Sequence, residues 1–323
     1  MMICAIIGNT GVWRSLVARS AGGREVAGSN PVAPISEDRE LCYCIIPCLF
    51  ALLELLNKPI QGGTPMISFD LDMTLLDHKT GQITPSALKA VELLRKHHKI
   101  VLATGRDMDN YYSCKYRDIL RPDGIVHMNG TKVTAGNTLL YEHTFDQTLL
   151  KELLSYCDKQ GFAIGVTVGD DDFYIHPEVV EESDQMHWGI SGRRFGDPWQ
   201  LLNMKIRTLA FVGNERQAAQ IEQNFPTLRL PLFAGKHGAD VIEKGHSKAD
   251  GLRLLAEYFG EDPSLKDTVA FGDSMNDIEI IQAAGTGVAM GNAIEELKAC
   301  ADFVTDSIEK DGIWKACSHL NLF

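Results

Sequence analysis

Asp70 and Asp72 stand two residues apart at the end of the apolar run Met66-Ile67-Ser68-Phe69. A short run with Ile and Phe reads as a buried central strand, and its tip delivers both carboxylates. Carboxylates are almost never buried without partners, so the pair needs a cation, a proton or a substrate beside it. One carboxylate can act as a nucleophile, splitting a hard displacement into two easier ones. The other can give and take the proton. The plain alternative is a capped strand end, with Asp72 or Thr74 bonding loop amides.

Three more segments favour chemistry. Ile100-Val101-Leu102-Ala103 is a second apolar strand, followed by Thr104, Gly105 and Arg106. Gly245-His246-Ser247-Lys248 opens an amphipathic helix, with Leu252 and Leu255 on one face and Gly260 as its C-cap. Val269-Ala270-Phe271-Gly272 ends in Asp273, Ser274, Met275, Asn276 and Asp277. In an open parallel sheet the carboxyl ends of the strands share one edge, and ligands bind there. The four segments therefore predict one cleft carrying acids, a hydroxyl and a lysine.

Together they resemble the four motifs of the haloacid dehalogenase superfamily of phosphatases and phosphotransferases. Their order and spacing look most like its Cof-like branch, which carries a type IIB cap. The resemblance covers residues 66–323. It implies an α/β fold, a Rossmann-like parallel sheet core with an inserted α+β cap domain. One residue departs from the pattern. The family usually reads Asp-x-Asp-Gly-Thr, and Met73 occupies the glycine position, where glycine eases a tight turn.

The resemblance and the residue chemistry assign roles. Asp70 is the expected nucleophile, forming an aspartyl-phosphate, and Asp72 the acid and base. Charge on the equatorial phosphoryl oxygens calls for positive potential and positioning. Lys248, at a helix N-terminus, offers both an ammonium and helix-end amides; Lys244 competes for the role. Thr104 adds a hydroxyl, and Gly105 lets the backbone approach. By resemblance the Leu71 amide and Asn276 also bind phosphate. Mg²⁺ takes hard oxygen ligands; Asp70 and Asp273 are the expected carboxylate ligands, with the Asp72 carbonyl added by resemblance and Asp277 supporting Asp273 or a metal-bound water. Arg106 and Asn129 are candidates either for substrate contact or for structure. Arg193 and Arg194, with Asp170 and His187, are candidate specificity elements or simply a solvated face.

These residues need elements to hold them. Thr84 and Pro85 start a helix with a Leu88, Val91 and Leu94 stripe. Strand–helix–strand alternation through 100–103, Tyr111, Tyr112 and 125–128 calls for right-handed crossovers and a parallel sheet. A hairpin comes next, at Gly136-Asn137. From 145 to 236 the rhythm changes. Helices over 149–156 and 215–224, with strands over 162–168, 173–176, 205–212 and 228–233, predict the cap. The core is expected to resume at a strand over 239–242 and to continue through 268–271, 287–290 and 303–305.

The 323 residues can hold two domains, and 45% hydrophobic content supplies packed cores. A net charge of −12 argues against nucleic acid or an anionic membrane as partner. Residues 1–65 hold five basic and five acidic side chains, so all of that charge lies in 66–323. An acidic protein that binds phosphate esters must neutralise its own site, which again suggests a divalent cation. Of the eight cysteines, Cys4, Cys42, Cys44 and Cys48 fall in residues 1–65, while Cys114, Cys157, Cys300 and Cys317 show no metal-ligand spacing, and a reducing cytoplasm is the simpler setting.

Residues 1–65 read differently. All ten histidines lie beyond Met66. The apolar run over 41–56 is broken by Pro47 and Glu54 and is shorter than the roughly 20 residues that a spanning helix needs. Gly28-Ser29-Asn30-Pro31 can be encoded by the GGTTCGAATCC block of a transfer-RNA T-arm. The expectation is a start assigned too far upstream, with Met66 as the initiator.

The leading expectation is a phosphatase acting on a small phosphorylated metabolite of the sugar-phosphate kind. A phosphomutase or phosphotransferase would use the same four motifs. A non-catalytic sensor would have no use for Asp72 as acid and base. The oligomeric state is not legible.

Overall fold

The computed structural model describes residues 65–189, 191–233 and 235–323. The expected extension up to residue 64, with its apolar run and transfer-RNA-like segment, lies outside the described residues. The strands are β1 (Met66–Phe69), β2 (Leu76–Asp77), β3 (Gln82–Ile83), β4 (Lys99–Ala103), β5 (Gly124–His127), β6 (Lys132–Ala135), β7 (Thr138–Glu142), β8 (Ala163–Val168), β9 (Asp171–Ile175), β10 (Leu209–Val212), β11 (Leu228–Arg229), β12 (Gly238–Glu243), β13 (Val269–Gly272), β14 (Thr286–Ala289) and β15 (Phe303–Val304). The α-helices are α1 (Pro85–Leu94), α2 (Tyr111–Leu120), α3 (Gln147–Gln160), α4 (Pro177–Trp188), α5 (Glu215–Asn224), α6 (Lys248–Phe259), α7 (Ile278–Ala283), α8 (Glu295–Cys300) and α9 (Gly312–His319).

The core sheet has the order β15-β14-β13-β1-β4-β5-β6-β7. The apolar run at β1 is buried throughout and pairs in parallel on both sides, Ile67 opposite Ile100 and Val269, and Phe69 opposite Leu102 and Phe271. The Phe69 and Phe271 rings stack at 4.8 Å, which fixes the registers of the two strands that carry acids at their tips. The chain leaves β1 toward β4 on one side and returns to β13 on the other. Loops diverge at such a switch point, and a crevice opens at the carboxyl ends.

Local signals explain the flanking helices. The Thr84 side chain accepts the Ala87 amide at the start of α1, where Ala87, Ala90, Val91 and Leu94 are buried and Leu88 is half-buried. Ser247 caps α6 by accepting the Asp250 amide, and Gly260 ends that helix at φ +76°. Leu252 and Leu255 anchor α6 in the core, so Lys248 is buried at its first residue. Among the described residues no helix is long and apolar enough to cross a membrane.

The inserted segment forms a second, antiparallel sheet with the order β11-β12-β10-β8-β9. Its own apolar cluster includes Phe162, Phe211 and Val241. Two expectations change here. The strand expected to resume the core at 239–242 pairs instead with β10 and β11, so the inserted sheet extends past residue 236 to Glu243. A short apolar run carries no mark of which sheet it joins. The insert also holds a third helix, α4, whose outward sequence Glu-Val-Val-Glu-Glu buries only Val180 fully and so shows little helical stripe.

The chain crosses between the two sheets at residues 143–146 and 244–247. The crossings are tied together. His143 Nε2 lies 2.6 Å from Glu243, its ring stacks on His246 at 4.1 Å, and Tyr141 Oη meets His246 Nε2 at 2.8 Å.

Candidate active site

Three buried carboxylates surround one buried ammonium where β1, β13 and α6 meet. Lys248 Nζ donates to Asp70 Oδ1 and to Asp277 Oδ1, each at 2.6 Å. The other Asp277 oxygen accepts the Asp273 and Ser274 amides at 3.0 Å, which folds the loop after β13 and aims Asp273 inward. Thr74 Oγ1 donates to Asp273 Oδ1 at 3.4 Å. None of the three acids or the lysine exceeds 4% exposure, so water does little to screen these charges.

Burial therefore dominates the electrostatics. It pushes the Asp70 carboxyl up to about 8, against the opposing charge of Lys248. Burial, then the neighbouring Asp70 and Asp277, hold Asp273 well above the usual carboxylate range. Burial would also lower the Lys248 ammonium, but Asp277 and Asp70 hold it above its usual range. The two partners thus pull against burial with different outcomes. One ammonium answers two carboxylates and stays charged; burial, and then the crowding of like charges, is what raises Asp70 and Asp273.

Asp72 turns away from this cluster. It accepts Arg106 Nε at 2.8 Å and Nη2 at 2.5 Å, and His78 Nε2 lies 2.6 Å from it. Burial acts against ionisation, yet the His78 hydrogen bond and the Arg106 guanidinium keep Asp72 well below the usual range. The loop between the acids closes through Leu71, whose carbonyl accepts the Leu75 and Leu76 amides at 2.9 and 2.7 Å. Met73 sits in that loop at φ +57°. The turn does demand the left-handed conformation that glycine supplies, and a methionine adopts it.

The second strand tip adds a polar chain. The buried Thr104 accepts the Arg106 amide on its hydroxyl at 3.1 Å. Beside it a Cβ on Gly105 would lie 3.2 Å from Asp240 Oδ2 and 3.5 Å from Asn129 Nδ2. Asn129, at φ +56°, donates to Asp240 Oδ2 at 2.8 Å and accepts Asn276 Nδ2 at 2.9 Å. Residues of all four segments are thereby brought together. Two partners were not foreseen: His78, and Asp240 from β12. Asp240 is one acid in an otherwise apolar strand, and only the sheet pairing shows where it points.

A cavity of about 720 Å³ runs from Gly105 and Arg106 to Tyr174, Arg193 and Asp240. Arg193 lines it but is held by Asp172 at 2.9 Å and Asp184 at 2.7 Å. Arg194 stands apart, exposed and paired with Asp171 at 3.2 Å. Asp170 offers its carbonyl to Arg194, and the exposed His187 stacks on His237, so neither joins the acids. A further cluster of Asp107, Asp109 and His127 is already answered by Lys132, at 3.2 and 2.6 Å from the two acids.

The carboxylate oxygens of Asp70, Asp273 and Asp277 lie within 4.8 Å of one another. Hard donors and uncompensated negative charge suit a divalent cation that takes oxygen ligands.

Comparison with known proteins agrees with this geometry. A family model for haloacid dehalogenase-like hydrolases matches residues 67–317. The Bacillus subtilis protein named "Putative phosphatase YkrA" is 32% identical over 275 residues, which span 80% of this chain and 98% of that protein. The 5-amino-6-(5-phospho-D-ribitylamino)uracil phosphatase YitU of Bacillus subtilis is 27% identical over 259 residues, 77% of this chain and 94% of its own length. Among solved structures, the subclass IIB sugar phosphatase BT4131 of the same superfamily superposes with a TM-score of 0.72 at 28% identity, covering 80% of this chain and all of its own. The chain belongs to the haloacid dehalogenase-like hydrolases, in their Cof-like phosphatase branch with a type IIB cap.

Proposed function

We propose that this protein hydrolyses small phosphorylated metabolites of the sugar-phosphate kind, with Mg²⁺, through an aspartyl-phosphate on Asp70. The observation that carries the reading is the buried Asp70–Lys248 contact at the tip of β1, flanked by Asp273 and Asp277. Asp70 Oδ attacks phosphorus as the bond to the leaving oxygen breaks, and Asp72 gives that oxygen its proton. Asp72 then takes a proton from water, whose oxygen displaces Asp70 from phosphorus and frees inorganic phosphate.

Asp70 and Asp273, with the Asp72 carbonyl, would hold the cation, while Asp277 has both oxygens engaged and keeps the Asp273 loop in place. When bound, Mg²⁺ would supply positive charge to offset that of the transferring phosphoryl group. Lys248, the Leu71 amide, Thr104, Gly105 and Asn276 surround the oxygens of that group. In the structure Arg106 pins Asp72 as an anion, so the acid step requires that pair to open as substrate enters. The inserted domain walls the cavity on the leaving-group side and serves as the cap. The named activities of YitU and BT4131, on a phosphorylated ribityl chain and on sugar phosphates, support a hydroxylated substrate.

The test is turnover on a panel of phosphate esters with and without Mg²⁺, in the unaltered chain and in Asp70→Asn. Release of inorganic phosphate that needs both Mg²⁺ and Asp70 is expected. Transfer to a second alcohol without phosphate release would favour a phosphotransferase, and substantial hydrolysis by Asp70→Asn would rule out the covalent route.

A further inference from the structure

Four acids line the cavity: Asp107, Asp172, Asp184 and Asp240. Three have cations. Asp107 is paired with Lys132 at 3.2 Å, and Asp172 and Asp184 share Arg193. Among the described residues Asp240 has no ion pair. Only one of its oxygens is engaged: Oδ2 accepts Asn129 Nδ2 at 2.8 Å, and Oδ1 accepts from no described group. The carboxylate also bridges the two domains. It rides on β12 of the cap, opposite Ala210 of β10, yet lies against Gly105 of the core.

Its orientation is imposed rather than loose. Ser274 Oγ donates to Asn276 Oδ1 at 2.8 Å, Asn276 Nδ2 donates to Asn129 Oδ1, and Asn129 is left to donate to Asp240. Each amide in that chain has one orientation that satisfies its neighbours. The relay runs from the loop of Asp273 to the cap and holds Asp240 Oδ2 toward the core. An ionised carboxylate only accepts hydrogen bonds, so it repels phosphate oxygens and attracts donors. Burial lifts Asp240 to about 6, with Asn129 opposing, which leaves it mostly ionised at neutral pH.

Resting on the phosphatase reading above, we propose that Asp240 is the residue that selects the leaving group: its Oδ1 accepts a hydrogen bond from a substrate hydroxyl close to the phosphoryl group. The other charged groups of the lining are already paired, Arg106 with Asp72, Lys205 and Arg207 with Glu142, and Arg193 with Asp172 and Asp184, and the hydroxyl residues Thr167 and Thr208 line the cavity as well. A site that hydrogen-bonds a substrate hydroxyl rejects the analogue lacking it, because its own polar group is then left unpaired. Asp240 therefore reads the hydroxyl nearest phosphorus, and more distant cap residues read the far end of the leaving group.

The experiment compares Asp240→Asn and Asp240→Ala with the unaltered protein, using sugar and polyol phosphates against n-propyl phosphate. The readout is the ratio of kcat/KM between the best hydroxylated ester and n-propyl phosphate. Both variants should lower that ratio, by roughly 10- to 100-fold as expected for one lost hydrogen bond to a charged group. Thermal melting confirms that each variant is folded. A uniform fall on every ester overturns the assignment, since Asp240 would then act only by holding Asn129 and Asn276. An unchanged ratio overturns it too, as does a preference for phosphoethanolamine over every hydroxylated ester. If the unaltered protein cleaves no ester at all, the phosphatase reading falls, and this assignment with it.

Discussion

Replacing Lys248 by methionine removes the one ammonium from among Asp70, Asp273 and Asp277 and keeps most of the side-chain volume. Removing one partner of a buried ion pair costs about 3–5 kcal/mol, because a buried charge is left uncompensated. Here that cost must depend on pH. The folded-state pKa of Asp70 is raised above its unfolded value of 3.8, so its contribution to stability is fully present below that value and is lost as pH rises toward about 8. Each such group forfeits about 1.4 kcal/mol per pH unit across its window. Lys248 is the charge that lowers Asp70, so without it the window extends further upward. Thermal melting in EDTA should show the variant on the order of 10 °C below the unaltered protein above the Asp70 window, near pH 9.5, with a smaller gap at pH 7, where Asp70 is protonated with or without Lys248. Mg²⁺ should narrow the gap at the higher pH by taking over the neutralising role. Equal gaps at the two pH values would refute the argument, since the acids would then not be the groups left unbalanced.

At Met73, φ +57° separates glycine from every other residue. Met73→Gly should be more stable than Met73→Ala by about 1 kcal/mol in urea unfolding, since both lose the side chain and only alanine keeps the strain. Equal stabilities would mean that the turn relaxes. Arg193→Ala should change kcat/KM unequally across an ester panel, because Asp172 and Asp184 on the cavity wall lose their shared cation. Arg194→Ala, on the exposed side, should leave the order of substrates as it was; a reordering by Arg194 alone would reverse the assignment of this wall.

How much of this was legible in the sequence depended on where each residue sits in its element. Asp70, Thr104 and Asp273 come directly after apolar strands, and Lys248 comes after a capping serine, so each announced itself by punctuation. The glycine position filled by Met73 was also readable, although its backbone angle was not. Asp240 was illegible because it lies inside an apolar strand rather than at its tip, and nothing in that run says which sheet the strand joins. His78 was missed for a related reason: nothing in its neighbours says that the turn through Met73 brings it back onto Asp72. Arg193 and Arg194 are adjacent and looked alike, but the fold turns one toward the cavity and the other toward solvent. The extent of the cap was misjudged at 239–242 because an apolar run of that length suits either sheet.

The central claim is that Asp70 carries the phosphoryl group. Asp72→Asn should let that group accumulate, because the second step then lacks its base. The variant would be mixed with p-nitrophenyl phosphate and Mg²⁺, quenched, reduced with borohydride and digested, and the peptides read by mass spectrometry. An acyl phosphate should have formed at Asp70 alone, seen as its reduction to the alcohol at that position. Ester cleavage with no modified residue, or modification at Asp273 or Asp277 instead, would contradict the account.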